Sequence, residues 1–289
     1  MKIYLNGKLV DRADAKVSVF DHGFLYGDGG FEGIRSYNCR VFRLKEHIDR
    51  LFETLHTLMI DPHMTKKQMS DAVISTLRAN KLNDGYIRLI VSRGEGDLGL
   101  DPRKCYGKPN VIIIADKITL YPAELYKKGM EIITVPTVKN HPNALNPQLK
   151  SLNYLNNILA KMEASQSGYN EAIMLEANGY IGECTGDNIF IYTKGVLSTP
   201  HLGCLKGITS GAILELARKL KLRVFEGYIT RHEVYNADEC FLTGTGAELI
   251  PIVKVDGRTI ATGVPGNVTS KLLNAFRQLI KKDGLKYDL

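Results

Sequence analysis

Four residues of this chain are well placed for chemistry: a lysine ahead of a helix, a carboxylate between strand-like runs, a glycine opening a second helix and an arginine on a third. The lysine is Lys150, in "NPQLKSLNYLNNILAKMEAS" (146–165). Leu152, Leu155, Leu159 and Met162 recur there at spacings of three and four, which predicts one buried helix face with Lys150 at the helix mouth. An ammonium is disfavoured near the positive end of a helix dipole. Read alone, it is a solvated lysine whose stem covers apolar surface. Glu183, in "GYIGECTGDNIF" (179–190), is either a turn residue or a carboxylate held inside to pair with a buried cation. "CLKGITSGAILELARKL" (204–220) passes through Gly207 into a helix at Ile208-Thr209 and offers free backbone N–H groups to an anion. Alternatively, Thr209 or Ser210 merely caps that helix. "LTGTGAE" (242–248) ends an apolar strand in a turn able to form a nest of N–H groups. Arg50, in "EHIDRL" (46–51), reads in isolation as a surface arginine.

Together these residues form a set. The lysine condenses with an aldehyde, the carboxylate keeps a ring nitrogen protonated, and the helix start and arginine neutralise a phosphate. Those are the demands of pyridoxal phosphate.

The elements that must position them follow from local pattern. "KIYL" and "KLV" flank Asn6-Gly7, the preferred two-residue hairpin turn. Leu44, Ile48, Leu51, Leu55 and Leu58 predict a helix over 43–60, and a second helix over 65–81 starts at a Thr cap. "YIRLIVSR" (86–93) and "NVIIIAD" (110–116) read as strands. The second half adds the strand runs "MEIITVPTV", "EAIMLEANGYIGE", "NIFIYTKGVLST" and "ECFLTGT", with helices at about 150–167, 208–221 and 266–282. The expected division is a domain at 1–118, a linker at 119–129 and a second domain at 130–289 that includes Lys150.

Composition, 44% hydrophobic and 24% charged, is that of a soluble globular chain, and no apolar run approaches the ~20 residues that span a bilayer. The first residues lack the continuous apolar core of a signal peptide, so a cytoplasmic location is expected. Five scattered cysteines suggest buried free thiols, and no C-x-x-C or H-E-x-x-H spacing suggests a metal. The net charge of +7 raises a basic nucleic-acid-binding protein as a rival, but the basic clusters sit at helix ends and lack aromatic interleaving. "GEGDLG" (94–99) matches G-x-G-x-x-G after a strand and raises an NAD-dependent oxidoreductase. The following "LDPRKCYGKP" reads as loop, where the fingerprint requires a helix.

The chain resembles the class IV (fold type IV) pyridoxal-phosphate aminotransferases, and among them is most similar to the branched-chain amino acid aminotransferases. The motifs that carry the likeness are "YGDGGFEGIRSYN", "EHIDRL", "YIRLIVSRG", "LKSLNYLNNILAKMEA", "NGYIGECTGDNIF", "LKGITSGAI" and "LTGTGAELIPI". The resemblance implies an α/β fold of α+β type, with a smaller N-terminal α/β domain and a larger C-terminal domain with a barrel-like sheet that binds the cofactor. It also implies transamination between leucine, isoleucine or valine and 2-oxoglutarate, in a homodimer or higher homo-oligomer, with neither nucleic acid nor membrane as partner.

Carried over by motif, Lys150 is the Schiff-base lysine and proton shuttle, Glu183 the partner of the pyridine nitrogen and Arg50 the phosphate arginine. Ile208 and Thr209 are backbone donors to the phosphate, with a further contact from Thr245. Leu205 packs on one ring face, and Tyr154 reaches the phenolic oxygen, although the Lys-to-Asn-Tyr spacing is one residue longer in some members. The resemblance places Tyr26, Phe31, Arg35 and the loop Leu98, Gly99 and Leu100 at the substrate. Tyr86 and the Thr245-Gly246 backbone hold the α-carboxylate, and Arg88 receives glutamate's distal carboxylate. The D-amino acid aminotransferases share the fold but carry an Arg-x-His pair that "SRGEGDLGL" lacks. "FEGIR" and "YIRLIVSRG" fit the aminodeoxychorismate lyases less well.

Overall fold

Asn6 and Gly7 both take positive φ, 49° and 92°, as the predicted hairpin turn requires. In the computed structural model, which describes residues 1–118 and 121–289, they join β1 (Lys2–Leu5) to β2 (Lys8–Asp11). The chain forms two units: Met1–Ile118 with Lys150–Asn153 and Ile280–Leu289, and Thr119–Leu149 with Tyr154–Leu279.

The first unit continues with α1 (His22–Tyr26), β3 (Gly29–Tyr37), β4 (Arg40–Val41), α2 (Leu44–Thr57), α3 (Lys66–Ala79), β5 (Gly85–Ser92) and β6 (Asn110–Asp116). Its sheet runs Leu285–Lys286, β4, β3, β5, β6, β1, β2. Strand alternation sends Ile34, Ile87, Leu89, Val91, Val111 and Ile113 into one core with Leu51, Leu55, Met69, Val73 and Leu77 of the helices. Each such side chain stabilises the fold by roughly 1.5–3 kcal/mol. A capping box between Thr65 and Gln68 starts α3 at the predicted residue.

Expected boundaries put 150–153 and 280–289 in the second domain, whereas their contacts group them with the first unit. Leu285–Lys286 pairs with β4, and the Tyr287 hydroxyl donates to Leu82 O at 2.5 Å. Residues 150–152 pair with the open edge of β3. Of the expected linker, 119–120 lie outside the described residues, and Ala123–Lys128 forms a helix, α4.

The second unit goes on with β7 (Met130–Thr134), α5 (Pro142–Leu145), α6 (Leu155–Gln166), β8 (Ala172–Leu175), β9 (Ile181–Cys184), β10 (Asn188–Thr193), β11 (Val196–Pro200), α7 (Ile208–Lys219), β12 (Arg223–Gly227), α8 (Arg231–Tyr235), β13 (Glu239–Gly244), β14 (Glu248–Val255), β15 (Arg258–Thr259) and α9 (Asn267–Leu279). The sheet order is β12-β11-β10-β13-β14-β7-β8-β9, with β15 on β14. A tight turn, Cys184 N–H to Asp187 O at 2.8 Å, links β9 back to β10. The sheet therefore curls on itself, as the expected barrel-like sheet does. The sequence reading did not foresee β12 and β14.

One expectation is overturned. Helix α6 starts at Leu155, not at 150, and its leucine stripe is not buried: Leu155 is 66% exposed, and Ile158, Leu159 and Met162 are exposed with it. Ala160 and Ala164 face inward instead, against Val135, Ala172 and Met174. Small residues let the helix approach the sheet closely, so the large apolar ones are left on the outer side. Among the described residues, no helix is long and apolar enough to cross a membrane.

Candidate active site

In the first unit, Lys150 is fixed by its main chain. Phe31 N–H donates to Lys150 O and Leu152 N–H to Gly29 O, both at 2.9 Å, while Ser151 bridges Gly30. The segment thus acts as a short strand on β3, and the Lys150 ammonium lies 4.5 Å from the centroid of the Phe31 ring. Cross-strand register puts Gly33 opposite Arg88 and Arg35 opposite Tyr86, so these residues share the Phe31 face of the sheet. The Arg88 guanidinium stacks over Phe31 at 4.6 Å and donates to the Tyr86 hydroxyl at 3.2 Å. Gly33 leaves room for Tyr86: a Cβ there would come within 2.2 Å of its hydroxyl. Lys150, Phe31, Tyr86 and Arg88 are therefore brought together. Arg35 lies further along the strand, over Tyr37.

Glu32 points to the opposite side, into the helix layer, where a carboxylate needs partners. Arg50 Nε and Nη2 donate to its two oxygens at 2.7 and 2.8 Å, and His47 Nδ1 lies 2.7 Å from Oε2. Burial pushes the Glu32 carboxyl up, but Arg50 and His47 outweigh it and hold the group at about 2. Burial in turn pushes the His47 imidazole below its ordinary value, against the pull of Glu32. Arg50 is buried, not a surface arginine.

The loop 94–107 does not open a helix at its last glycine. It contains a short turn, Pro102–Lys104, and bridges at Glu95 and Gly96. Two α1 side chains hold it: His22 Nε2 to Asp97 O at 2.9 Å and the Tyr26 hydroxyl to Leu98 O at 2.5 Å. Leu98 and Leu100 are exposed.

In the second unit, Glu183 is buried on β9. Its Oε1 accepts from Lys139 Nζ at 2.7 Å and its Oε2 from Leu205 N–H at 3.0 Å. Asn188 Nδ2 donates to Leu205 O at 2.9 Å. Gly207 is the N-cap of α7 and no side chain caps that helix start, so the capping role considered for Thr209 or Ser210 is not realised. A Cβ on Gly207 would sit 2.0 Å from Asn188 Oδ1, so glycine is needed for this approach. Glu183, Leu205 and the Ile208-Thr209 helix start are thus tied together through Asn188. Thr245 and Gly246 occupy the turn between β13 and β14, and Tyr154 is the N-cap of α6.

Glu171 and Asp187, both buried, flank the Tyr121 hydroxyl at 3.4 and 3.3 Å. Burial and the charge of Glu171 push the Asp187 carboxyl up to about 7. The first unit offers a buried arginine and a lysine beside an aromatic ring, and the second an uncapped helix start and an oriented carboxylate; each is a group that suits a phosphorylated, ring-nitrogen cofactor.

Sequence reading missed Glu32, His47, Lys139 and Asn188. His47 and Arg50 stand three apart on one helix, a spacing that signals a shared face. Lys139 left no such trace.

A family model, Amino-transferase class IV, matches residues 29–255, and the chain belongs to that family. A Methanocaldococcus jannaschii protein is 52% identical over 100% of both chains. The branched-chain-amino-acid aminotransferase of Pseudomonas aeruginosa is 40% identical over 96% of this chain and 92% of its own. The branched-chain amino acid aminotransferase of Thermobaculum terrenum, solved in its PLP-bound holo form, superimposes with a TM-score of 0.88 at 29% identity, covering 96% of this chain and 93% of its own.

Proposed function

We propose that the protein is a pyridoxal 5′-phosphate-dependent transaminase that exchanges the amino group between branched-chain L-amino acids (leucine, isoleucine, valine) and 2-oxoglutarate. Family membership and the substrates named for its relatives support this reading. The observation that carries it is Lys150, whose main chain is paired to β3 while its ammonium lies over Phe31.

When bound, the cofactor supplies an aldehyde for amino groups and a protonated ring that withdraws electrons. Lys150 Nζ anchors it and moves the proton at the substrate Cα. Glu183 holds the proton on the ring nitrogen, and Leu205 packs on one ring face. Arg50, the N–H groups of Ile208 and Thr209, and Thr245 neutralise the phosphate, while Tyr154 donates to the phenolic oxygen. Tyr86 and the Thr245-Gly246 backbone take the α-carboxylate. Tyr26, Phe31, Arg35 and the 98–100 loop line the side-chain pocket. Arg88, stacked on Phe31, places a cation at the edge of an apolar wall, so one pocket serves both leucine and glutamate.

The exposed apolar face of α6, from Leu155 to Met162, supports a homodimer. A cytoplasmic location belongs to the same reading.

The test is spectroscopic. The protein should turn yellow with pyridoxal phosphate, be trapped at Lys150 by borohydride, and give half-reactions with L-leucine and L-glutamate but not D-alanine. A colourless protein that cannot be trapped at Lys150 overturns the proposal, and a response to D-alanine alone moves it to the D-amino acid enzymes.

A further inference from the structure

Glu183 already has a cationic partner inside the protein. Lys139 is 6% exposed, and its ammonium donates to Glu183 Oε1 at 2.7 Å. The fold makes specific room for it: a Cβ on Gly182 would come 2.8 Å from Lys139 Cγ, and Lys139 N–H is tied to Leu175 O at 2.8 Å. The second carboxylate oxygen is fixed by Leu205 N–H at 3.0 Å, with Asn188 Nδ2 at 3.4 Å. Burying an ammonium is costly even when it is paired, and no step of the proposed reaction uses this one.

Other groups around the pair do not take over its role. Burial raises the Cys204 thiol to about 12 and the Cys184 thiol well above its ordinary value, so neither contributes charge near neutrality. Asp187 and Glu171 are acidic and cannot offset a carboxylate.

We infer that Lys139 is a positioning residue for Glu183: it fixes the orientation of the carboxylate and offsets part of its charge, so that Glu183 holds the proton on the cofactor's ring nitrogen less tightly than an unpaired glutamate would. The inference rests on the role proposed for Glu183 above. It makes the electron-withdrawing strength of the bound ring a property set by a lysine that does not touch it.

Two substitutions separate charge from packing. Lys139→Gln keeps a donor to Glu183 without the charge, whereas Lys139→Arg keeps the charge. The pyridoxal-phosphate-loaded proteins are titrated by their visible absorbance against pH. Loss of a nearby cation favours protonation, so the midpoint in Lys139→Gln should rise by about one unit, and in Lys139→Arg it should stay at the wild-type value. A folded, loaded Lys139→Gln protein with an unchanged midpoint leaves Lys139 a purely structural role and overturns the inference. If Lys139→Gln does not fold, Lys139→Met, of similar length and uncharged, is read the same way. A wild-type protein with no visible band sinks this inference and the proposed function together. A wild-type band with unmoved variants sinks this inference alone.

Discussion

Glu32 and Arg50 grip each other in a two-pronged contact, Nε to Oε1 at 2.7 Å and Nη2 to Oε2 at 2.8 Å, with Glu32 wholly buried. Alternation along β3 puts Glu32 on the side that packs against α2, so the pair is the means by which a charge is tolerated there. The fork also fixes the plane of the guanidinium. Replacing Glu32 with Gln should cost about 3–5 kcal/mol of stability, because it removes the buried carboxylate charge that the Arg50 guanidinium grips. On the proposed function, in which Arg50 meets the phosphate, it should also weaken pyridoxal phosphate binding, because Arg50 is no longer aimed. Urea unfolding and a cofactor titration check both effects, and undiminished affinity would show that Arg50 needs no such support.

The same cluster sets the acid limit of stability. The folded-state value of Glu32, about 2, lies below its ordinary value of 4.5, so its contribution is present above the ordinary value and lost as pH falls toward 2. His47, also depressed, adds a loss of the same sign that begins below its ordinary value of 6.5. Melting temperature should therefore fall as pH drops, first below about 6.5 and more steeply between roughly pH 5 and 2. A Glu32→Gln, His47→Gln double variant should show a flatter acid limb.

Asp187 acts in the opposite direction. Its folded-state value, about 7, lies above the ordinary 3.8, so the stability it contributes is complete below 3.8 and is lost as pH rises through 7. Asp187→Asn keeps an acceptor for the Tyr121 hydroxyl and cannot ionise. Relative to the wild type, its stability should improve as pH is raised from about 5 to 8. Parallel melting curves that do not converge or cross would show that Asp187 does not titrate in this window.

His22 is the prediction for dynamics. Its Nε2 must carry the proton, since Asp97 O only accepts, which leaves Nδ1 as acceptor toward Cys105 Sγ at 3.4 Å. With Tyr26 on Leu98 O, α1 holds two successive carbonyls of the 94–107 loop. His22→Leu should speed amide hydrogen exchange over 96–100 and raise the KM for leucine by up to about tenfold, one hydrogen bond's worth, while kcat changes little. Unaltered exchange would mean that the loop is held elsewhere.

Elements with strong local signals were legible in the sequence: the Asn6-Gly7 turn, the Thr65 cap, the Leu44–Leu55 stripe and the Gly207 helix start all lie where their spacing put them. The stripe on α6 is periodic, as its spacing requires, but it is exposed. Periodicity says that a helix has two faces but not which one meets the rest of its own chain, and Ala160 and Ala164 decided that. Motif resemblance singled out Lys150, Arg50 and Glu183. Their partners Glu32 and Lys139 were missed because each pair is closed only by folding, across separations of 18 and 44 residues.

The main chain of Lys150 is paired to β3: its carbonyl accepts from Phe31 N–H, and the amide of Leu152 donates to Gly29 O. Any residue can supply those groups. The strand pairing by itself therefore does not call for a lysine at position 150; on the proposed function, turnover does. On that reading, a Lys150→Ala chain would keep the pairing to β3 and lose the reaction, a copy of the strand without its chemistry.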